Sequence, residues 1–236
     1  MISLKKIRDL ISENTARYFS HGRVEEVGRR PSVMRDVFTE IYHSGAWGDP
    51  ESVSGPGSSV RHTLAFRDLI PELLRGLNAR SLLDAPCGDF NWMKELRLGV
   101  RRYTGVDIVP ELVERNRRNH SAPGRAFLNL DITRDRLPRA DVVLCRDCLV
   151  HFSRGDIVAT VRNFKKSKSR YLLTTTFTGR REYVEISTGE WRPLNLQLAP
   201  FNFPPPLKLI DERCTHSGGT YTDKCLGLWE LAAIDI

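Results

Sequence analysis

Three aspartates, Asp84, Asp107 and Asp131, each close a short apolar run in the sequence: "SLLD", "YTGVD" and "LNLD". Runs of this kind are typical of buried strands. Because the carboxyl ends of parallel strands share one edge of a sheet, we expect the three carboxylates to lie near one another. Asp107 follows Gly88 by nineteen residues, which is where a nucleotide-binding unit places an acid to accept hydrogen bonds from ribose hydroxyls.

The turn "APCGD" after the first run contains one glycine, Gly88, which can adopt positive φ or allow a close backbone approach. The dinucleotide fingerprint G-x-G-x-x-G is absent, which argues against NAD and against a pyrophosphate at a helix N-terminus. An acid in the turn, Asp84 or Asp89, would repel phosphate. It would suit a ligand with an ammonium group and a sulfonium charge.

Each acid also has a purely structural interpretation. Asp84 could cap the following helix, Asp107 could start a turn before Pro110, and Asp131 could belong to a β-turn. The occurrence of all three at successive strand ends favours a binding site.

A second candidate site follows the apolar run "DVVLC", where Asp147 and His151 are four residues apart. If the segment begins a helix, the two side chains share one side, so that Asp147 could fix the tautomer or raise the basicity of His151. His151 would then serve as a general base near neutral pH. The alternative is a histidine that caps or packs against the sheet. The pair Cys145 and Cys148 has zinc-like spacing without a second pair nearby, which favours packing.

The order of elements predicts the fold. From residue 60 we expect a helix "VRHTLAFRDLIPELLRGL", strand "RSLLDA", a helix from about Trp92 to Leu98, strand "RYTGVDI", helix "PELVERNRRNH", strands "RAFLNLDI" and "ADVVLCRD", a helix near "GDIVATVRNFKK", and strand "RYLLTTTF". The runs "LKLIDERC" and "KCLGLWELAAI" predict a closing hairpin. The alternation predicts a doubly wound α/β fold with a mostly parallel seven-stranded sheet and a C-terminal antiparallel hairpin.

Two regions flank or interrupt this pattern. Residues 1–59 are predicted to form an N-terminal helical appendage that ends in a Gly/Ser-rich lid loop at 45–59, although that loop could also be a flexible linker. Residues 60–236 form the main domain, with an irregular aromatic insertion at about 178–205 that could bind a substrate or cover a sheet edge.

Composition limits the classes of function. The chain has 236 residues, 40% of them apolar, no apolar run of membrane-spanning length and no secretory signal, so we expect a cytoplasmic protein without a membrane partner. Five cysteines, an odd number, predict reduced thiols. The net charge of +7 suits an anionic small molecule, such as a nucleotide sugar or a sugar phosphate. The basic clusters are scattered, which makes a nucleic-acid surface a weaker interpretation.

The motif "DAPCGD" resembles the first motif, D/E-x-G-x-G-x-G, of class I S-adenosylmethionine-dependent methyltransferases. It matches at Asp84 and Gly88, whereas Pro86 replaces the first glycine and Phe90 the last. The resemblance extends over about residues 60–177. More narrowly, "WG..ESVSGPGSS", "LLDAPCGDFNWM", "LCRDCLVH" and "RPLNL...PF" look like a bacterial subgroup of this class whose substrates are poorly defined.

The residue patterns and the resemblance together predict a site with three sets of residues. His151 and Asp147 would be catalytic. The implied S-adenosylmethionine-binding residues are Asp84, Pro86, Cys87, Gly88, Asp89, Trp92, Asp107, Ile108, Asp131, Ile132 and Arg146. The expected acceptor-binding residues are Trp47, Ser54, Ser58, Trp191, Arg192 and Asn195.

Motifs that mark particular subgroups of class I methyltransferases are missing from this sequence, which limits the kinds of methyl transfer to be expected. Cys87 lies in the cofactor turn, whereas the nucleophile of cytosine-C5 methyltransferases follows the fourth strand, so we expect Cys87 to be a packing group. "CRDC" replaces the Asn/Asp-Pro-Pro-aromatic step of amino-directed DNA enzymes. "TTTFTG" replaces the Asp and Asn that hold magnesium in metal-dependent O-methyltransferases, so we expect no metal.

The sequence therefore predicts a methyltransferase that acts on a small polar acceptor, with a hydroxyl of a sugar or secondary metabolite favoured. Two alternatives remain open: an RNA or protein N-methyltransferase that uses the basic surface, and a non-catalytic S-adenosylmethionine-binding module.

Overall fold

The sheet has seven strands in the order β3-β2-β1-β4-β5-β7-β6. A computed structural model describes residues 33–236 of the chain. The first five strands in this order run parallel, and β7 runs antiparallel to both of its neighbours. The strands are Ser81–Asp84 (β1), Arg102–Asp107 (β2), Arg125–Asn129 (β3), Val142–Cys145 (β4), Tyr171–Phe177 (β5), Lys208–Asp211 (β6) and Lys224–Glu230 (β7). This is the predicted fold class.

The order in which successive strands are added to the sheet reverses at β1: β2 and β3 lie on one side of it, and β4 and β5 on the other. β1 pairs with β2 on one side and with β4 on the other, each in parallel register. A crevice therefore opens beyond the carboxyl ends of β1 and β4, which is where open α/β sheets bind ligands. Asp84 and Asp107, which end β1 and β2, lie at this edge.

Six α-helices surround the sheet within the described part of the chain. They are Val33–Ser44 (α1), Val60–Thr63 (α2), Leu69–Gly76 (α3), Pro110–His120 (α4), Arg154–Lys166 (α5) and His216–Gly219 (α6). Helix α4 begins at a proline, whose missing N–H would have no partner in a first helical turn. Helix α5 is capped by Ser153, whose hydroxyl accepts from the Asp156 N–H at 3.2 Å.

Two of the predicted helices differ from the structure. The helix expected from residue 60 is interrupted between Thr63 and Leu69, because Pro71 fits only in a first turn and the helix must restart just before it. The helix expected from Trp92 to Leu98 is wrong, because only a short 3-10 turn, Met93–Glu95, forms there. Beyond it Leu96, Leu98 and Val100 alternate with exposed residues and pack on the core, a period of two that suits extended chain.

The core lies on both faces of the sheet. Successive residues of β1 separate onto opposite faces: Leu82 packs in the apolar cluster that contains α3, and Leu83 in the one that contains α5. This is the period-two alternation of a strand buried on both faces. Residues 1–32 of the predicted N-terminal helical appendage lie outside the described residues. Among residues 33–236, none of the helices combines the length and the apolar character that a membrane crossing requires.

The insertion at 178–205 is free of helices and strands, as expected, but it is anchored. Its residues Leu194, Leu196 and Phe201 are buried in the core. Trp229 of β7 is also buried, and its indole N–H donates to the Pro204 carbonyl at 2.7 Å. The insertion is therefore fixed to the sheet from which it emerges.

Gly227 offers a test of this anchoring. A Cβ at Gly227 would lie 2.2 Å from the ring of Trp229, so Gly227→Ala should displace the indole and lower the free energy of unfolding by about 2–3 kcal/mol. Gly76→Ala is the control, because a Cβ there meets no atom within 4 Å, and it should change stability by less than about 1 kcal/mol. Urea unfolding measures both variants. Equal stability of the two variants would show that Trp229 is not held as described.

Candidate functional site

Two adjoining cavities lie at the carboxyl edge of the sheet. The inner cavity is lined by the ends of β1, β2 and β4 and is covered by Met34, Phe38 and Ile41 of α1. The outer cavity is larger and lies between the Gly/Ser-rich loop, the insertion and the C-terminal hairpin. The two cavities share a boundary formed by Trp47, Ser54, Ser58, Arg146, Asp147 and His151.

Asp107 lies in the wall of the inner cavity at the end of β2. Its carboxylate oxygens accept one backbone N–H each, from Gly88 and from Val109, both at 3.1 Å. Burial raises the pKa of Asp107 to about 6, against the lowering effect of these hydrogen bonds. Because a carboxylate offers about four acceptor positions, Asp107 retains lone pairs for the hydroxyl groups of a ligand.

Asp84 lies beside it at the end of β1. The Tyr103 hydroxyl donates to its Oδ2 at 2.5 Å, so the observed partner of Asp84 is a side chain of β2 rather than a helix terminus. Burial raises the pKa of Asp84 to about 7, and the nearby charge of Asp107 adds to this effect. The two acids therefore form a buried, acidic wall that titrates near neutral pH.

Asp89 does not line either cavity; it fixes the Gly/Ser-rich loop. Its Oδ2 accepts from the Ser52 hydroxyl at 2.8 Å and from the Val53 N–H at 3.0 Å, and its own N–H donates to the Ser54 hydroxyl. Gly88 has φ +52°, and a Cβ there would lie 2.4 Å from the Ser54 Oγ. The close approach that requires this glycine is thus made by the loop. The loop is tied to the turn and is not a free linker.

Asp131 also lies away from both cavities. Its carboxylate accepts from the N–H and the hydroxyl of Thr133, at 2.9 and 2.6 Å, and pairs with Arg134 at 3.1 Å. These contacts match the structural alternative for Asp131, a place in a β-turn, that the sequence offered beside cofactor binding. The next residue, Ile132, does line the inner cavity, together with Ile108, and supplies an apolar wall.

Pro86, Cys87 and Trp92 complete the predicted turn residues that line the inner cavity. Burial raises the pKa of the Cys87 thiol, which therefore stays neutral. A neutral buried thiol is a packing group. All five cysteines are free.

Four charged side chains form a buried ion-pair cluster at the boundary of the two cavities: Arg146, Asp147, Glu212 and Lys224. Arg146 contacts Glu212 at 2.7 Å and Asp147 at 3.2 Å. Lys224 contacts the same two carboxylates, at 3.2 and 2.7 Å. Burial alone would raise the pKa of Asp147, but the two cations hold it below its ordinary value. Sequence reasoning missed Glu212 and Lys224; the only signal was a charge at a strand end in an otherwise apolar hairpin.

His151 faces the boundary from a 3-10 turn, Leu149–His151. The segment from Asp147 to His151 does not begin an α-helix, since Asp147 has φ +50°, so the condition for the two side chains to share a helix face is not met. The Nδ1 of His151 lies 2.9 Å from the Glu190 carbonyl, which can only accept, so Nδ1 carries the proton. This carbonyl fixes the tautomer, a role that the sequence assigned to Asp147. The Trp47 ring packs on the imidazole with centroids 4.2 Å apart.

Burial lowers the pKa of His151 to about 4, although the charge of Asp147 partly opposes this effect. The imidazole is therefore neutral at physiological pH. Its Nε2 has a free lone pair in the tautomer that Glu190 selects.

The predicted acceptor-binding residues divide into two groups. Trp47, Ser54, Ser58 and Trp191 line the outer cavity, but Arg192 and Asn195 do not. Arg192 is 3% exposed, and its guanidinium lies over the Tyr183 ring at 5.2 Å and donates to the Val150 carbonyl. Asn195 donates to the Arg180 carbonyl at 3.0 Å. Both side chains hold the insertion in place.

The protonation state of His151 can be measured directly. In a ¹⁵N NMR titration of the folded protein, its pKa should be about 4, with the proton on Nδ1 above that pH. The same histidine in urea-unfolded protein should titrate near the ordinary value of about 6.5. An unshifted pKa in the folded protein, or an Nε2–H tautomer, would contradict the geometry described for this site.

Comparison with known proteins connects this geometry with a family. Residues 82–167 match the family described as a methyltransferase domain. No curated protein sequence matches the chain significantly.

Three solved structures resemble most of the chain. They are the 1,6-didemethyltoxoflavin-N1-methyltransferase of Burkholderia thailandensis (TM-score 0.56, 19% identity, 91% of this chain and 93% of that one), the N-methyltransferase NodS of Bradyrhizobium japonicum (0.54, 14%, 80% and 97%) and human N-acetylserotonin methyltransferase (0.53, 17%, 95% and 68%). The first two contain S-adenosylhomocysteine and the third S-adenosylmethionine. At these identities the likeness concerns the fold.

The described residues place the matched segment at the centre of the Rossmann-like sheet, around the inner cavity. S-adenosylmethionine, the cofactor that the sequence predicted, agrees with the family match. Residues 82–167 thus match a methyltransferase domain and form the centre of a Rossmann-like α/β fold.

Proposed function

We propose that this protein is an S-adenosylmethionine-dependent methyltransferase that methylates a hydroxyl group of a small polar acceptor. The observation that carries the proposal is the junction of the two cavities at a neutral histidine, His151. The inner cavity has the character of a cofactor site and the outer one that of an acceptor site. We also propose that the chain belongs to the narrower bacterial subgroup that its sequence motifs resemble.

The inner cavity fits S-adenosylmethionine by the chemistry of its lining. Asp107 offers carboxylate lone pairs to a ribose diol, and Ile108 and Ile132 offer apolar contacts to an adenine ring. Asp84 adds a buried negative charge that suits a cationic ligand. When bound, this cofactor supplies a methyl group made electrophilic by its sulfonium sulfur.

The remaining chemistry is to position the acceptor and to remove its proton. Nε2 of His151 is available as the proton acceptor, because Nδ1–H is held by the Glu190 carbonyl. As the hydroxyl oxygen gains the methyl group, its proton moves to Nε2 and later to solvent. The negative charge of Asp147 favours the imidazolium that forms. An amine with a free lone pair would not need this base, and this difference supports a hydroxyl acceptor.

The pH dependence of cofactor binding tests the inner cavity. Asp107 and Asp84, with pKa values of about 6 and 7, lose their protons as the pH rises from 5.5 to 8.5. The affinity for S-adenosylmethionine, measured by calorimetry, should therefore rise by about tenfold over this range, since each pKa unit corresponds to about 1.4 kcal/mol. Asp107→Asn should bind at least tenfold more weakly at pH 8.5. The surface variant Asp68→Asn is the control, and unchanged affinity of Asp107→Asn would remove the cofactor assignment.

Transfer of an isotope-labelled methyl group tests the catalytic role of His151. The protein is incubated with methyl-deuterated S-adenosylmethionine and the small-molecule fraction of a cell extract, and labelled products are detected by mass spectrometry. His151→Gln should lower the rate of labelling by about 10²–10⁴-fold, the usual contribution of a general base, while cofactor affinity changes little. Full activity of the variant would refute the role of His151. Label in the RNA or protein fraction would support those acceptors instead, and cofactor binding without labelling in any fraction would indicate a non-catalytic module.

A further inference from the structure

Two arginines that line the outer cavity have no acidic partner among the described residues, whereas the other charged residues of the lining form ion pairs. Arg61 of α2 and Arg213, just after β6, both line this cavity and are exposed. Within residues 33–236, neither guanidinium lies within ion-pair distance of an acid. Both remain available to an anion from solvent.

The rest of the charge in the outer cavity is balanced. In the ion-pair cluster, the cations Arg146 and Lys224 contact the anions Asp147 and Glu212, so the cluster as a whole is neutral. The acids that line the outer cavity are therefore already paired. The charge of Arg61 and Arg213 remains, and it attracts an anionic ligand to this cavity.

Another part of the lining is aromatic. Trp191 and Tyr221 pack edge to face with ring centroids 5.0 Å apart, and the Phe177 ring lies within 6.0 Å of both. Arg180 lies over the Tyr221 ring and is held by Asp223 at 2.8 Å. These three rings, the aromatic wall, line the outer cavity and provide a preformed surface for a flat apolar group.

We propose that the acceptor is an organic anion built on a ring: a ring compound that carries a carboxylate or a phosphate group. Its ring packs on the aromatic wall, and its anionic group binds Arg61 and Arg213. The hydroxyl that receives the methyl group then faces His151. This inference rests on the proposed function only in identifying the ligand of the outer cavity with the acceptor.

Guanidinium groups suit carboxylate and phosphate oxygens, because their N–H donors match these groups in a planar, bidentate geometry. A hydrogen bond to a charged group contributes about 1.5–3 kcal/mol, so an uncharged analogue should bind tenfold or more weakly. The inference therefore predicts discrimination by charge between ligands of equal shape.

The test uses a matched pair of probes, indole-3-acetate and indole-3-acetamide, which share a ring system and differ in charge. Calorimetry of the 236-residue chain should show at least a tenfold preference for the acid. In the double variant Arg61→Gln/Arg213→Gln the preference should fall to about twofold or less, with each single variant between these values. Arg139→Gln, an exposed arginine just before the amino end of β4, should keep the wild-type preference. Phenyl phosphate in the same titrations shows whether a phosphate is preferred to a carboxylate.

Three results of the titrations would overturn the inference: equal affinity for the two indole probes, no binding of the acid at millimolar concentration, or a preference that survives in the double variant. Thermal melting establishes that the double variant is folded. The labelled products of the extract experiment separate this inference from the proposed function. Retention of these products on an anion exchanger supports both, and purely neutral methylated products would leave the methyltransferase in place but refute the anionic acceptor. A charge preference without any labelling would refute the function and keep the anion site.

Discussion

The buried ion-pair cluster of Arg146, Asp147, Glu212 and Lys224 holds the site together. It joins the end of β4 to the C-terminal hairpin, across 66 and 77 residues of sequence. Arg146 also donates to the Gly57 carbonyl at 2.9 Å, which connects the Gly/Ser-rich loop to the same point. Buried charges are costly to desolvate, and removing one partner typically costs 3–5 kcal/mol because it leaves another charge uncompensated. The cluster therefore specifies one arrangement of three separate segments rather than adding much net stability.

The position of His151 depends on this arrangement and on a second anchor. The cluster holds Asp147 with positive φ, four residues before His151, and the Glu190 carbonyl in the insertion fixes the imidazole from the other side. The insertion in turn depends on buried Arg192, whose backbone N–H and guanidinium both donate to the Val150 carbonyl. Residues that touch neither cavity thus determine which nitrogen of His151 faces the junction. The insertion belongs to the site through its backbone as much as through its aromatic side chains.

The sequence predicts the sheet and the inner cavity well, because both depend on local patterns. Apolar runs ending in Asp84 and Asp107 place acids at one sheet edge, and Pro110 marks the start of α4. The sequence does not separate these acids from Asp89 and Asp131, which have the same side chain at similar positions. The difference lies in their hydrogen-bond partners. Asp89 accepts hydrogen bonds from a loop 35 residues earlier in the chain, and Asp131 accepts them from its own turn. The ion-pair cluster could not be predicted, since nothing local relates Arg146 to Glu212.

The two cavities also differ in which part of the chain forms them, and this difference bears on specificity. The segment that matches the methyltransferase family, residues 82–167, supplies the acids and most of the apolar wall of the inner cavity. Much of the outer cavity lies outside that segment: Trp47 and Arg61 come before it, and Trp191, Arg213 and Tyr221 after it. A fold shared by enzymes with different acceptors can fix cofactor geometry in its common core, while added segments decide which molecule meets the reacting methyl group. In this chain those additions are attached to the core by Asp89, Arg146 and Trp229, so the outer cavity is joined to the common fold although it is not part of it.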